Sequence, residues 1–162
     1  MVTAVEAPAD VVSAVPDPEL PMVSIADLGI LRSVDVSEHG RVTVMITPTY
    51  SGCPAMDAIR GDIRRALTVA GWPDVEVRTQ LSPAWTTDWM TPEGKRKLSE
   101  AGIAPPGPHQ DAGPVAVRLS VRCPRCGSPD TSEISRFGAT SCKSLWRCRS
   151  CVEPFEHFKA LR

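Results

Sequence analysis

The chain has 162 residues, of which 42% are hydrophobic and 23% are charged, and its net charge is −1. This length allows one ordinary domain, or a domain of about 100 residues with a small stapled module beside it. No apolar run approaches the roughly 18 residues that a membrane span needs, and Glu6 and Asp10 stand where a secretory signal would be apolar. The sequence predicts a cytoplasmic protein, in which clustered cysteines are more often metal ligands than disulfides.

Charge divides the chain into two parts. Residues 1–114 carry nine Lys and Arg against fifteen Asp and Glu, net −6, whereas residues 115–162 carry nine against four, net +5. Between these parts, APPGPHQDAGP at 104–114 has four prolines and two glycines, which is typical of a stiff, extended linker. We therefore predict a domain at 1–103, a linker at 104–114 and a second domain at 115–162.

The first domain has the alternating pattern of an α/β protein. A short helix is expected in PADVVSAV, ended by PDPELP, and a strand at the end of SIADLGILRSVDV. RVTVMIT and DVEVRTQL alternate as strands with one buried face. Between them, apolar residues recur at helical spacing from Met56 to Ala70, and Gly71 ends that helix. A last helix is expected from Pro92, capped by Thr91, to Gly102.

The second domain changes to short strands, in VAVRLSV, SEISRF and SLWRC, and is too small to bury much core. Two C-x2-C pairs, Cys123 with Cys126 and Cys148 with Cys151, are separated by 21 residues, close to the spacing of four-cysteine zinc sites. Four protein ligands leave no open position, which indicates a structural site. Zinc is preferred and iron stays open, because four thiolates suit either metal.

Two cysteines lie outside these pairs. Cys142 is interpreted as a buried small residue, a spare ligand or an extra reactive thiol. Cys53 stands in TPTYSGCPAM at 47–56, where Pro54 is favoured as the first helical residue. Cys53 would then cap the helix, whose positive end lowers the thiol pKa. Hydroxyls are expected nearby, from Thr47, Thr49, Tyr50 and Ser51.

Two interpretations of Cys53 remain open at this point: a buried cap residue, or a thiolate that binds a metal or attacks an electrophile. His39 stands in a turn, His109 in the linker and His157 between two phenylalanines. Because none of them is placed to act as a base for Cys53, we do not expect a cysteine hydrolase.

Several motifs together resemble the D-protein family of bacterial phenylacetate degradation: DPELPMVSIADLGI at 17–30, TPTYSGCPAM at 47–56, and CPRCG, FGATSCKSLWRCRSC and EPFEHFK in the tail. The first domain resembles the wider family of SufT-type iron–sulfur assembly proteins. This resemblance implies a small α/β sandwich followed by a zinc-ribbon-like β module that contains the five late cysteines. Trp146 and His157 stand where the family pattern has tyrosine, which leaves the role of the last aromatic segment open.

The resemblance also implies a site. Asp17, Glu19 and Pro21 match the acidic-proline motif of the family, and the central motif is matched by Thr49, Gly52 and Cys53. The residues expected to handle a transient iron or iron–sulfur centre are Cys53, Thr49, Gly52, Asp17 and Glu19.

The resemblance implies a role with the multicomponent phenylacetyl-CoA epoxidase, whose oxygenase is a di-iron protein and whose reductase carries flavin and a [2Fe–2S] centre. We expect an accessory component that matures these partners and is not catalytic alone. One alternative is a subunit that contributes directly to turnover or electron transfer. Another is a nucleic-acid-binding ribbon, favoured only by the +5 tail, whose arginines are more typical of a solvated face.

Overall fold

The structure, a computed structural model, describes residues 6–50, 52–107 and 120–160. The chain forms two compact units, Met1–Thr91 and Pro92–Arg162. The first is a small α/β unit and the second is built on a β-sheet, so the predicted fold class is confirmed. No helix in the described part of the chain has both the length and the apolar character needed to cross a membrane.

The first unit is a three-stranded sheet with two helices. Its elements are α1 (Pro8–Ser13), β1 (Leu31–Val36), β2 (Val42–Ile46), α2 (Ala55–Val69), β3 (Val75–Thr79) and a 3-10 turn (Thr87–Trp89). The central strand, β2, pairs antiparallel with β1 and parallel with β3. Parallel neighbours need a crossover connection, which α2 supplies. These elements lie where the sequence pattern predicts them.

Burial follows the predicted periodicities. On β2, Val42, Val44 and Ile46 are buried and the residues between them are half-buried. On α2, the buried positions recur every three or four residues and include Ile59, Ile63 and Leu67. α2 packs on β3, and α1 packs on α2 and β1. The loop that carries Cys53 therefore joins two elements that are both anchored in the core.

The second unit is a four-stranded sheet preceded by a helix. Its elements are α3 (Pro92–Glu100), β4 (Ile103–Ala104), β5 (Thr131–Ser135), β6 (Lys143–Cys148) and β7 (Pro154–Phe158). The strand order is β4-β7-β6-β5, with β4 parallel to β7 and the other pairs antiparallel. The predicted strand VAVRLSV at 115–121 lies largely outside the described residues.

The pairing of β4 with β7 places α3 and β4 in the second compact unit. The sequence assigned both elements to the first domain, because the proline-rich segment follows them. The domain limits 1–103, 104–114 and 115–162 stay a prediction, and most of the linker lies outside the described residues.

The core of the second unit is small and contains two of the paired cysteines. Its buried members are Ala104, Val121, Cys123, Trp146, Cys148 and Phe155. A buried ion pair joins Lys143 Nζ to Glu156 Oε2 at 2.7 Å. Because Cys123 and Cys148 belong to this core, the cysteine cluster and the hydrophobic packing form one unit.

Candidate thiol and metal sites

An acidic turn follows α1. Pro16 and Ser24 form an antiparallel bridge that closes this turn. Oδ1 of the buried Asp17 accepts hydrogen bonds from the backbone N–H groups of Glu19, at 2.9 Å, and Leu20, at 2.8 Å. These bonds fix the turn and hold the half-buried Glu19 within it.

Cys53 lies in the loop between β2 and α2. Gly52 precedes it with φ +84°, a left-handed conformation that glycine adopts without strain. The Cys53 carbonyl accepts a hydrogen bond from the Met56 N–H at 3.3 Å, three residues on. The regular helix begins at Ala55, so Pro54 is the cap residue, and the predicted assignment of Cys53 as the cap was wrong by one residue. The tighter first turn explains this shift.

Burial raises the pKa of the Cys53 thiol, which is the opposite of the predicted effect. A hydrogen bond from the Ala55 N–H lowers it, the Glu19 carboxylate raises it, the Tyr50 hydroxyl lowers it and Asp17 raises it. The N–H at the helix start acts in the expected direction but is outweighed, because burial and two carboxylates both disfavour a thiolate. Cys53 is therefore a protonated thiol at neutral pH.

The structure thus brings together a thiol, a phenol and two carboxylates from separate parts of the chain. Thr49 is half-buried in the same loop. Oγ1 of the buried Thr47 has no hydrogen-bond partner among the described residues, and Ser51 lies outside them. Thiolate and carboxylate are both iron ligands. No histidine described by the structure is among the groups that shift the Cys53 pKa, so the arrangement favours ligation over acid–base chemistry.

The four paired cysteines converge in the second unit. Their sulfur atoms all lie within 4.8 Å of one another. Cys123 Sγ is 3.8 Å from Cys151 Sγ, and Cys126 Sγ is 3.6 Å from Cys148 Sγ. A tetrahedral ion with Zn–S bonds of about 2.3 Å holds its sulfurs about 3.8 Å apart. The donor set and these two distances fit a tetrahedral metal site that zinc or iron can fill.

The thiols of this cluster differ in acidity. The Cys151 N–H, 3.5 Å from Cys148 Sγ, is the main cause that lowers the pKa of Cys148 to about 6. The Glu153 N–H lowers the pKa of Cys151, but burial and the neighbouring thiols raise it to about 12. A metal must displace the protons that such thiols hold, so its binding depends on pH.

The residue after each pair adopts a left-handed conformation. Gly127 has φ 73° and Val152 has φ 67°. The sequence predicts this conformation for Gly127 and gives no sign of it for Val152. A β-branched residue at positive φ is strained, at a cost of about 1–3 kcal/mol. The second turn therefore has the same geometry as the first without the residue that favours it.

Cys142 is separate from both sites. It is buried, and its Sγ lies 3.0 Å from Thr140 Oγ1. It is not among the four sulfurs that converge in the described part of the chain. Its role as an extra thiol stays a prediction.

These features define a metal-handling protein of two modules, an α/β unit with a thiol beside a helix start and a β module built on two C-x2-C turns. Residues 9–79 match the family described as iron–sulfur cluster assembly protein, and residues 108–159 match the PaaD zinc beta ribbon domain. The chain is 50% identical over 149 residues to an Escherichia coli (strain K12) protein named as the PaaD-type component of 1,2-phenylacetyl-CoA epoxidase, covering 92% of this chain and 88% of that one. The chain therefore belongs to the PaaD family of phenylacetyl-CoA epoxidase components.

Other relatives match the first unit. An iron–sulfur protein maturation auxiliary factor of Porphyromonas gingivalis is 40% identical over 83 residues, covering 51% of this chain and 78% of that protein. The crystal structure of a DUF59 domain from Bacillus anthracis is 30% identical with a TM-score of 0.52, covering 56% of this chain and 87% of that one. These matches confirm the resemblance drawn from the sequence.

Proposed function

We propose that this protein is an accessory factor of a phenylacetyl-CoA epoxidase system, which holds iron or an iron–sulfur centre transiently at Cys53 and passes it to an epoxidase component. The supporting observation is the half-buried Cys53 thiol beside the Asp17 and Glu19 carboxylates. The family match supplies the epoxidase system, and the maturation factor that resembles the first unit supplies the kind of role.

The raised pKa of Cys53 suits a transient ligand. Iron or a cluster must displace the thiol proton to bind, and the returning proton favours release. The Glu19 and Asp17 carboxylates, which raise this pKa, can themselves act as hard oxygen ligands to iron. A thiol in this environment exchanges its cargo more easily than a preformed thiolate would.

The second unit has a different role in this proposal. Its four-cysteine cluster holds a structural metal, for which zinc is the preferred ion. The module then serves as a rigid docking surface for the oxygenase or the reductase. The nucleic-acid interpretation stays a prediction of the charge distribution alone.

The proposal is tested by changing Cys53→Ser in cells that also express the oxygenase and reductase. We expect a lower content of iron and acid-labile sulfide in the purified epoxidase components, because serine is a poor ligand for either cargo. Cys142→Ser is the matched control, since Cys142 belongs to neither site. Equal iron and sulfide contents for Cys53→Ser and the unchanged chain would contradict the proposal.

A direct role in turnover is the second candidate, because the Escherichia coli relative is named as part of the epoxidase itself. Oxygenase and reductase that already contain their iron centres separate the two roles. If such components turn over without this chain, the maturation role is supported. If turnover needs equimolar amounts of this chain, a direct role in the epoxidase is favoured.

A further inference from the structure

Each C-x2-C turn carries an arginine directly before its first cysteine. Arg122 Nη1 donates a hydrogen bond to the Gly127 carbonyl at 3.1 Å. Arg147 Nε donates one to the Val152 carbonyl at 3.4 Å, across the same five-residue separation. In both turns the acceptor belongs to the left-handed residue that follows the second cysteine. The same contact therefore occurs twice, once around each half of the four-cysteine cluster.

The backbone repeats in the same way. The Cys123 N–H donates to the Ser128 carbonyl at 3.0 Å, and the Cys148 N–H donates to the Glu153 carbonyl at 3.0 Å. Each hydrogen bond closes a loop around two of the four sulfurs. The arginine contact closes that loop a second time, from its outer side, so each pair of ligands is held by one backbone bond and one guanidinium bond.

Charge gives these arginines a second effect. A divalent ion bound by four thiolates carries two excess negative charges. The two guanidinium groups, which stay protonated at any pH that a protein tolerates, supply two positive charges next to the ligands. Among the described residues, Arg149 has Asp130 at 3.8 Å, whereas Arg122 and Arg147 have carbonyl partners and no carboxylate partner.

We propose that Arg122 and Arg147 are positioning residues for the metal, which close the two cysteine turns and offset the charge of the metal–thiolate centre. Groups in this outer position commonly change metal affinity 10- to 100-fold, and the exposure of both side chains puts the effect near the low end. This inference concerns the second unit and does not depend on whether Cys53 carries iron.

The test measures zinc release from the full-length, zinc-loaded chain to a chromogenic chelator. We expect Arg122→Gln and Arg147→Gln each to release zinc roughly tenfold faster than the unchanged chain. Arg136→Gln is the matched control, because Arg136 is exposed and lies outside both turns. Release from the Arg122 and Arg147 variants at the rate of the control would overturn the proposal.

Lysine variants separate the charge from the hydrogen bond. Arg122→Lys and Arg147→Lys keep the charge, so at low salt they should release zinc more slowly than the glutamine variants, and added salt should reduce this difference. Equal release from lysine and glutamine variants at low salt would overturn the charge role. Should a glutamine variant fail to fold, Arg122→Lys against Arg136→Lys at two salt concentrations provides the same test, and rates independent of salt would overturn it.

Discussion

At the scale of single residues, Cys53 lies where opposing effects act on one thiol. The Ala55 N–H and the Tyr50 hydroxyl stabilise a thiolate, whereas burial and the Glu19 and Asp17 carboxylates disfavour it. The sequence predicts the N–H effect, because a helix start is a local feature. It does not predict the sign of the shift, because the carboxylates come from a distant turn.

The carboxylate effect can be measured through the reactivity of the thiol. Glu19→Gln removes a negative charge, so we expect the pKa of Cys53 to fall and its alkylation to begin at lower pH. Peptide mass spectrometry after timed iodoacetamide treatment, repeated across pH, gives this pKa. In the unchanged chain it should lie above the ordinary cysteine value of about 8.5.

Glu38→Gln serves as the control for this measurement, because Glu38 is an exposed acid in the turn between β1 and β2. Its alkylation profile should match that of the unchanged chain. A Glu19→Gln profile that moves to higher pH, or that does not move, would contradict the assigned role of Glu19.

Val152 provides a prediction about stability. Val152→Gly relieves a left-handed β-branched residue whose side chain is 55% exposed, so little packing is lost. The relieved strain exceeds the added flexibility of the unfolded chain, and we expect a gain of about 1 kcal/mol in the free energy of unfolding. Urea unfolding of the metal-loaded chain, followed by tryptophan fluorescence, measures it. Gly127→Val should have the opposite effect, and a loss of stability in Val152→Gly would contradict the strain argument.

At the scale of elements, α2 is the part that local sequence predicts best. Its apolar residues recur at helical spacing, and the structure buries that face completely at Ile59, Ile63 and Leu67. β2 is predicted as well, because alternation over five residues is also a local signal. The pairing of β4 with β7 is not, since two residues carry no periodicity and the partner strand is remote in the chain.

The buried face of α2 predicts the cost of truncating it. Ile63 is 0% exposed, so Ile63→Ala should lower the free energy of unfolding by about 2–5 kcal/mol through lost burial and a cavity. Val69, at the end of the same helix, is 85% exposed, and Val69→Ala should change it by less than about 0.5 kcal/mol. Equal effects of the two substitutions in urea unfolding would show that α2 does not pack as described.

At the scale of the whole molecule, the two units differ in what stabilises them. The first has a continuous core of strand and helix residues, including Val44, Ile46 and Ile59. The second has a core of six residues, two of which are ligands of the four-cysteine cluster. The sequence indicates this difference through the small size of the β module and its paired cysteines, although it cannot show that the ligands are part of the core.

Metal removal should therefore unfold one unit and leave the other folded. In the second unit, metal-binding free energy is folding free energy, since Cys123 and Cys148 lose both their ion and their packing when a chelator acts under reducing conditions. We expect the β6 backbone amides to lose protection from hydrogen exchange, while the β2 amides keep it. Restored zinc should restore β6 protection in the unchanged chain and not in Cys148→Ser. Protection of β6 that survives complete metal removal would show that the hydrophobic contacts of Trp146 and Phe155 suffice to hold this sheet.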